Sequence, residues 1–212
     1  TAIMKVAMPI VFKYLALPNG LGGRGGAQRF FLLANQIPFE EDLVDMGKWG
    51  SEEKTRVMES GENPCGSLPI IYCPKTDESH SEHLSQHIAS SRYLAKMNKL
   101  TVDNTPYEEY VQDLVADEYQ GFRNLWAKNA FSGTDEEKKH YKEEELPKIL
   151  AKFEKLYAKY KTTDTFLSVS KATEQPLWGD AALFGLMRDH TITAFLDLAV
   201  LEDKYPNLWK MY

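Results

Sequence analysis

Residues 20–26 read Gly-Leu-Gly-Gly-Arg-Gly-Gly, the densest chemistry-bearing pattern in the chain. Gly20, Gly22 and Gly25 satisfy G-x-G-x-x-G between an apolar run and a helical one, and Glu40, Glu41 and Asp42 follow about 20 residues on. Such glycines let a backbone approach a pyrophosphate at a helix N-terminus, and a following acid can take a ribose hydroxyl. His80, His83 and His87 form a second set, at spacings that would line one face of a continuous helix and could hold zinc or copper. Residues 77–80 read as a turn ahead of a short strand, however, so the three imidazoles would not share a helix and no metal is expected. Cys65 and Cys73 are too few for a disulfide framework and lack the paired spacing of a zinc site, which suits a reducing compartment. No Ser-His-Asp grouping or phosphate-loop lysine motif accompanies them.

The elements that must position these groups divide the chain in two. Residues 10–17, IVFKYLAL, are short, apolar and β-branched at their start and end at Pro18-Asn19-Gly20, which predicts a buried strand followed by a long glycine-rich turn. Residues 28–36, QRFFLLANQ, are apolar without alternation and predict a helix against a sheet. A second extended piece is expected at 39–44, a short apolar run at 67–72, and a helix at 85–96 with Leu84, Ile88 and Tyr93 available for one side. After Pro106, residues 107–131, 134–160, 177–189 and 191–203 all carry helical periodicity. Thr134 and Glu137 form a capping-box pattern ahead of an acidic first turn, and Pro147 predicts a kink in the same helix. Tyr107, Tyr110, Tyr119, Phe122 and Trp126 recur at helical spacing and read as core or interface, with some available to line an apolar pocket. The composition shift at 99–106 separates a mixed α and β part, residues 1–98, from an all-helical part, residues 105–212. A dinucleotide domain would need further strand-helix alternation, so the glycine motif stands there without its usual frame.

Composition narrows the classes. Of 212 residues, 43% are apolar and 26% charged, the profile of a folded globular chain. Lys and Arg number 25 against 31 Asp and Glu, a net charge of −6, which disfavours nucleic acid as a partner. No apolar run approaches the ~18 residues of a spanning helix, and a cytoplasmic protein without a membrane partner is expected.

Three segments occur in order at suitable distances: Pro64-Cys65-Gly66-Ser67-Leu68-Pro69-Ile70-Ile71, residues 86–95 (QHIASSRYLA) and Trp178-Gly179-Asp180. On these the chain resembles a cytosolic glutathione transferase, with echoes in Met8-Pro9, Leu146-Pro147-Lys148 and Tyr205-Pro206, and in a style closest to the tyrosine-type alpha, pi and sigma classes. The resemblance implies an α/β plus all-α fold, a thioredoxin-like N-terminal domain followed by an all-helical C-terminal domain with the second-substrate site. It implies a homodimeric detoxification enzyme that joins the thiolate of glutathione, its co-substrate, to small apolar electrophiles. Sigma-like style also leaves room for isomerisation of a prostaglandin-like lipid.

The same resemblance distributes the residues. Pro69 falls on a cis-proline position, with Ser67 and Leu68 before it and the Leu68 backbone facing the cysteinyl part of glutathione. Gln86 matches the amide that holds the γ-glutamyl group, but His87 stands where a serine or threonine is expected; a helix N-terminus could still receive a carboxylate there, and an imidazole N–H could replace the hydroxyl. Trp49 and Lys54 fall near the glycyl end, with Arg56 competing for the role of Lys54. Asp117 falls where an aspartate reaches the partner subunit's γ-glutamyl amine. Tyr14 is the expected thiol-activating residue if the loop that follows is about four residues longer than usual, with Arg24 as the turn arginine. An ungapped register puts Pro18 there instead, which leaves a loop donor such as Asn19 or no activation. Cys65 is expected as a small core residue, although an exposed thiol there could form a mixed disulfide with glutathione. The departures at His87 and after Tyr14 keep open a second reading, a transferase-like binding or scaffold protein without the chemistry.

Overall fold

A computed structural model describes residues 10–73 and 83–212. The apolar run at its start forms β1 (Ile10–Leu15), in which Ile10, Phe12, Lys13 and Tyr14 are buried. β1 lies parallel to β2 (Phe39–Val44) and antiparallel to β3 (Ile70–Tyr72), which in turn pairs antiparallel with β4 (His83–Ser85). The resulting order, β2-β1-β3-β4, is a mixed sheet, unlike the parallel sheet that a dinucleotide domain builds around its glycine motif. Lys13 is buried on β1 because Asp42, its register partner on β2, and Glu53 receive its ammonium at 3.1 and 3.0 Å. Glu41, one of the acids that follow the glycine motif, is paired to Arg29.

Helix α1 (Gly23–Ala34) begins inside the glycine run, earlier than the expected start at residue 28. The long flexible turn is therefore reduced to a single 3-10 turn over Pro18–Gly20. Between β2 and β3 lie α2 (Met46–Lys48), a π-helical turn over Trp49–Glu53, and α3 (Lys54–Glu59). α4 (His87–Met97) follows β4 directly.

The second half is helical: α5 (Pro106–Phe131), α6 (Asp135–His140), α7 (Leu146–Tyr160), α8 (Trp178–Ile192), α9 (Leu198–Lys204) and α10 (Pro206–Met211). Thr105 with Glu108 and Thr134 with Glu137 both form complete capping boxes, satisfying first-turn amides of α5 and α6. The distortion expected at Pro147 takes the form of a π-helical turn over Tyr141–Glu145, immediately before α7, where the wider turn accommodates a ring that cannot donate. The helix expected over 191–203 is broken. Phe195 and Leu196 turn into the helical core, both amides donating to the His190 carbonyl at 2.9 and 3.1 Å, and α9 starts afresh with Asp197 as its cap.

Two apolar clusters meet along α5 and α8. One centres on Phe12, Phe31, Ile70 and Ile71 and takes in Ala116, Leu177, Trp178 and Ala181 from the helical half; the other gathers Tyr119, Phe122, Trp126, Phe153 and Met187. The seam is held by a buried polar knot. Asp180 accepts from Gln112 Nε2 at 2.5 Å, from the Tyr157 hydroxyl at 2.5 Å and from the Leu167 amide at 3.2 Å. Burial pushes its carboxyl up to about 6 in spite of these donors.

Candidate functional site

The C-terminal end of β1 delivers Tyr14 beneath the first turn of α1. The glycines there serve this approach. A Cβ on Gly25 would stand 2.3 Å from Tyr14 Cδ1, and one on Gly23, whose φ is +53°, would stand 2.5 Å from the phenol oxygen. Phosphate-cradling amides are not left over. The Gly22 and Gly23 amides each donate to one oxygen of Asp189, both at 2.7 Å, and the backbone of Arg24 and Gly25 faces the Tyr14 phenol and favours its ionised form. Helix α8 thus caps α1 through Asp189, and Tyr14 of β1 packs against the same turn.

Burial raises the Tyr14 phenol above its ordinary value against the pull of the Arg24 and Gly25 backbone and of nearby arginines, so it is neutral at physiological pH. A neutral phenol has its own proton to donate. Pro18 and Asn19 lie exposed in the 3-10 turn, with Asn19 at φ 56°.

The loop before β3 is folded tightly. Asn63 Nδ2 donates to the Ser67 carbonyl at 2.6 Å, and its Oδ1 accepts from the Cys65 amide at 3.2 Å. Gly66, at φ +56°, packs against Met58 and Lys54, where a Cβ would meet the Met58 sulfur at 2.4 Å and Lys54 Cε at 3.2 Å. The Leu68–Pro69 bond is cis. Leu68 and Pro69 are buried and Ser67 half-buried. Cys65 is exposed, contrary to the core position expected, because the turn carries it outward to Ser85, whose Oγ lies 3.6 Å from its sulfur.

Because Ile70 pairs with Ser85, the sheet register brings Leu68 and Pro69 alongside Gln86. Gln86 is exposed at φ 67°, and no side chain caps α4. The first turn of α4 therefore offers backbone donors in a way that α1 does not. His87 turns inward, 2% exposed, with its ring edge-on to Tyr119 at 5.6 Å. Gln28 Nε2, which donates to Ser90 Oγ at 2.7 Å, ties this helix to α1. Burial, followed by the charges of Arg24 and Arg123, pushes the imidazole down to about 3, so it is neutral, and its Nε2 has no hydrogen-bond partner.

Tyr14, Arg24 and His87 are thus brought together, and Ser67, Leu68, Pro69 and Gln86 form a neighbouring strip at the sheet edge. Trp49 is half-buried against the sheet core and Lys54 exposed, both on the helical stretch that flanks the loop at Gly66. Asp117 is exposed and faces a groove between α5 and α7, lined also by Leu114, Gly121, Leu125 and Lys152, away from the Tyr14 cluster within this chain. Arg56 is occupied by Glu62 at 2.9 Å. His83 stacks edge-on against Tyr72 at 4.9 Å, and His80 lies outside the described residues, as does Met8-Pro9. No group of three metal-ligating side chains occurs among the described residues. Tyr119, Phe122 and Trp126 are buried, whereas Tyr107 and Tyr110 are exposed. Sequence reasoning missed Asp189 and Arg123. A second carboxylate after Asp180 in the largely apolar α8 is the signal that could have pointed to the first.

Residues 120–212 match the family model described as the glutathione S-transferase C-terminal domain. A pi-class glutathione S-transferase from Onchocerca volvulus is similar in structure, with a TM-score of 0.74 and 22% identity over 96% of this chain and 86% of that one. A glutathione transferase homologue from Lodderomyces elongisporus, solved with two glutathione molecules per subunit, aligns at 0.70 and 20% identity, covering 97% and 92%. A structure of prostaglandin synthase D from Nilaparvata lugens aligns at 0.67 and 19%, covering 96% and 90%. No curated protein matches the chain in sequence. Among the described residues no helix is long and apolar enough to cross a membrane.

Proposed function

Starting from a chain that has the glutathione S-transferase fold and, over residues 120–212, a match to the C-terminal domain of that family, we propose that the protein is a glutathione transferase joining the thiolate of glutathione to small apolar electrophiles. The observation that carries this reading is Tyr14: a neutral, buried phenol packed against the first turn of α1 at Gly23 and Gly25. Its hydrogen is available to a sulfur placed in the cleft. A hydrogen bond to the thiolate favours the charged form, and each unit by which the thiol pKa falls corresponds to about 1.4 kcal/mol. The thiol proton leaves to solvent, the thiolate attacks the electrophilic carbon, and the leaving group departs with its bonding pair.

In this reading glutathione lies along the strip from Ser67 to Pro69, with the Leu68 backbone against its cysteinyl part. Its γ-glutamyl carboxylate sits at Gln86 and the uncapped amides of α4, and its glycyl end lies toward Trp49 and Lys54. Asp117 reaches the γ-glutamyl amine of a partner subunit in a homodimer, and the enzyme works in the cytoplasm on electrophiles to be cleared. Residues 1–98 act as the glutathione domain and 105–212 as the domain of the second substrate.

One observation favours a second reading, a glutathione-holding protein without turnover. The inward-turned His87 offers no hydroxyl to the γ-glutamyl group. A difference titration of bound glutathione's thiolate absorbance separates the two. The transferase reading expects the thiolate to appear well below the free thiol's pKa, and Tyr14→Phe to move that titration back upward and lower turnover at neutral pH with little change in glutathione affinity. Saturable binding without the shift would select the second reading.

A further inference from the structure

We propose that the cleft beside Tyr14 selects second substrates bearing an anionic group, a carboxylate on an apolar frame, held between Arg24 and Arg123 with His87 Nε2 as a third polar contact. The inference rests on the transferase reading for its reaction, but the site itself is argued from the side chains. Arg24 comes from the first turn of α1, Arg123 from the middle of α5 and His87 from the start of α4, and the charges of both arginines bear on the His87 imidazole. Among the described residues neither arginine makes an ion pair, and Arg123 is engaged only by its neighbour Asn124, at 3.3 Å from Nη1. Arg123 Nε and His87 Nε2 are both buried without a hydrogen-bond partner, and the imidazole is 2% exposed. Buried donors of this kind are costly to leave unpaired, which is the mark of a place where a ligand supplies the partner.

Charge points the same way. Burial and the neighbouring Arg24 both lower the Arg123 guanidinium from its ordinary value, the signature of two like charges with too little counter-charge. The acid whose charge acts on Arg123 is Asp189, and both its oxygens are taken by the Gly22 and Gly23 amides. Arg188, also nearby, donates to the Gly20 carbonyl at 2.8 Å and lies over the Phe30 ring. Three arginines therefore face one aspartate around a helix N-terminus that is itself positive. A neutral His87 can present an N–H at Nε2 toward a carboxylate oxygen, and the edge of Tyr119 closes the site on an apolar side. The carboxylates of glutathione itself are directed elsewhere in the proposed pose, to α4 and to Lys54, which leaves the pair for the second substrate.

The test uses an activated aryl chloride in two forms, chloronitrobenzoate and the matching chloronitrobenzamide. With either, the glutathione thiolate forms the C–S bond at the carbon bearing chlorine and chloride leaves with the bonding pair. The wild-type protein should favour the benzoate by about tenfold or more in kcat/KM, and Arg123→Gln should bring the two within about twofold while glutathione affinity is unchanged. Calorimetric titration with the unreactive nitrobenzoate and nitrobenzamide reads the same preference without turnover. If the protein proves to bind no glutathione, the transferase reading fails while this binding comparison still decides the anion site. Equal affinities for acid and amide would overturn the inference, even where Arg123→Gln does not fold. So would an undiminished preference in Arg123→Gln, or a loss of glutathione affinity in that variant, which would assign the pair to glutathione instead.

Discussion

Gly25 is the residue on which the placement of Tyr14 turns. The aromatic ring lies against its backbone so closely that a methyl group would meet three ring atoms at 2.3 to 2.6 Å. Neither partner is a flexible chain end, since one is helical backbone and the other a ring 5% exposed in the sheet core. Gly25→Ala should therefore displace the phenol from the first turn of α1 rather than be absorbed. Gly25→Ala should cost about 1 to 3 kcal/mol of stability, the range for overpacking, and any thiolate shift should shrink with it. Gly50→Ala is the control, for a Cβ there meets nothing within 4 Å. Equal melting temperatures for the two variants would show that the ring is not packed as described. The glycine motif was legible in the sequence, but its use was not: G-x-G-x-x-G records only that backbone must be approached closely, and the approaching group is a tyrosine ten residues before Arg24 whose contact depends on how β1 and α1 pack.

At the scale of elements, the N-termini of α1 and α4 are treated in opposite ways. α1 is capped from outside by Asp189, whose two bonds at 2.7 Å join it to α8, while α4 has no side-chain cap. Asp189→Ala removes both acceptors at once and leaves the Gly22 and Gly23 amides buried. The expected loss is about 2 kcal/mol, larger than the roughly 1 kcal/mol for breaking the exposed capping box with Thr134→Ala. Paired thermal melts of the two variants check the order; a smaller loss at Asp189 would mean that α1 does not depend on α8 for its cap. The local device was readable, since Thr134 and Glu137 lie three residues apart and need only each other. Asp189 and Gly22 are 167 residues apart, and nothing local marks the bond. The same reasoning explains the break at residues 193–197. Helical periodicity there was genuine, but Phe195 and Leu196 gain more by entering the core than by continuing α8. It also explains why Arg123 went unnoticed: on a long helix rich in charge, a cation reads as a solvated face until the opposite wall of the cleft is known.

For the whole molecule, the buried titratable groups set how stability responds to acid. His87 and His190 are held neutral by burial, down to about 3 and about 4, and an unfolded histidine titrates near 6.5. Between those limits the unfolded chain binds more protons than the folded one, so each histidine contributes stability that is full above the unfolded value and is lost as pH falls. Asp180 opposes them. Its folded carboxyl is raised to about 6 from 3.8, so between those values it holds a proton when folded and releases it on unfolding. Near pH 5 the two histidines take up nearly two protons on unfolding and Asp180 gives back about one, while Asp189, whose carboxyl burial also raises, acts on the side of Asp180; the slope toward instability in acid is therefore shallower than the histidines alone would set. Below about pH 4.5 the carboxyls of Glu62 and Glu108, held under their ordinary value, add to the loss in the same direction. Denaturant melts at several pH values check the balance of signs. His87→Gln removes one of the two histidines and should flatten the slope between pH 6 and 5, whereas Asp180→Asn removes an opposing carboxyl and should steepen it. An unchanged slope in His87→Gln would mean that the imidazole is protonated in the folded protein, and the cleft between Arg24 and Arg123 would then have to accommodate a third positive charge, which the orphaned donors around it already argue against.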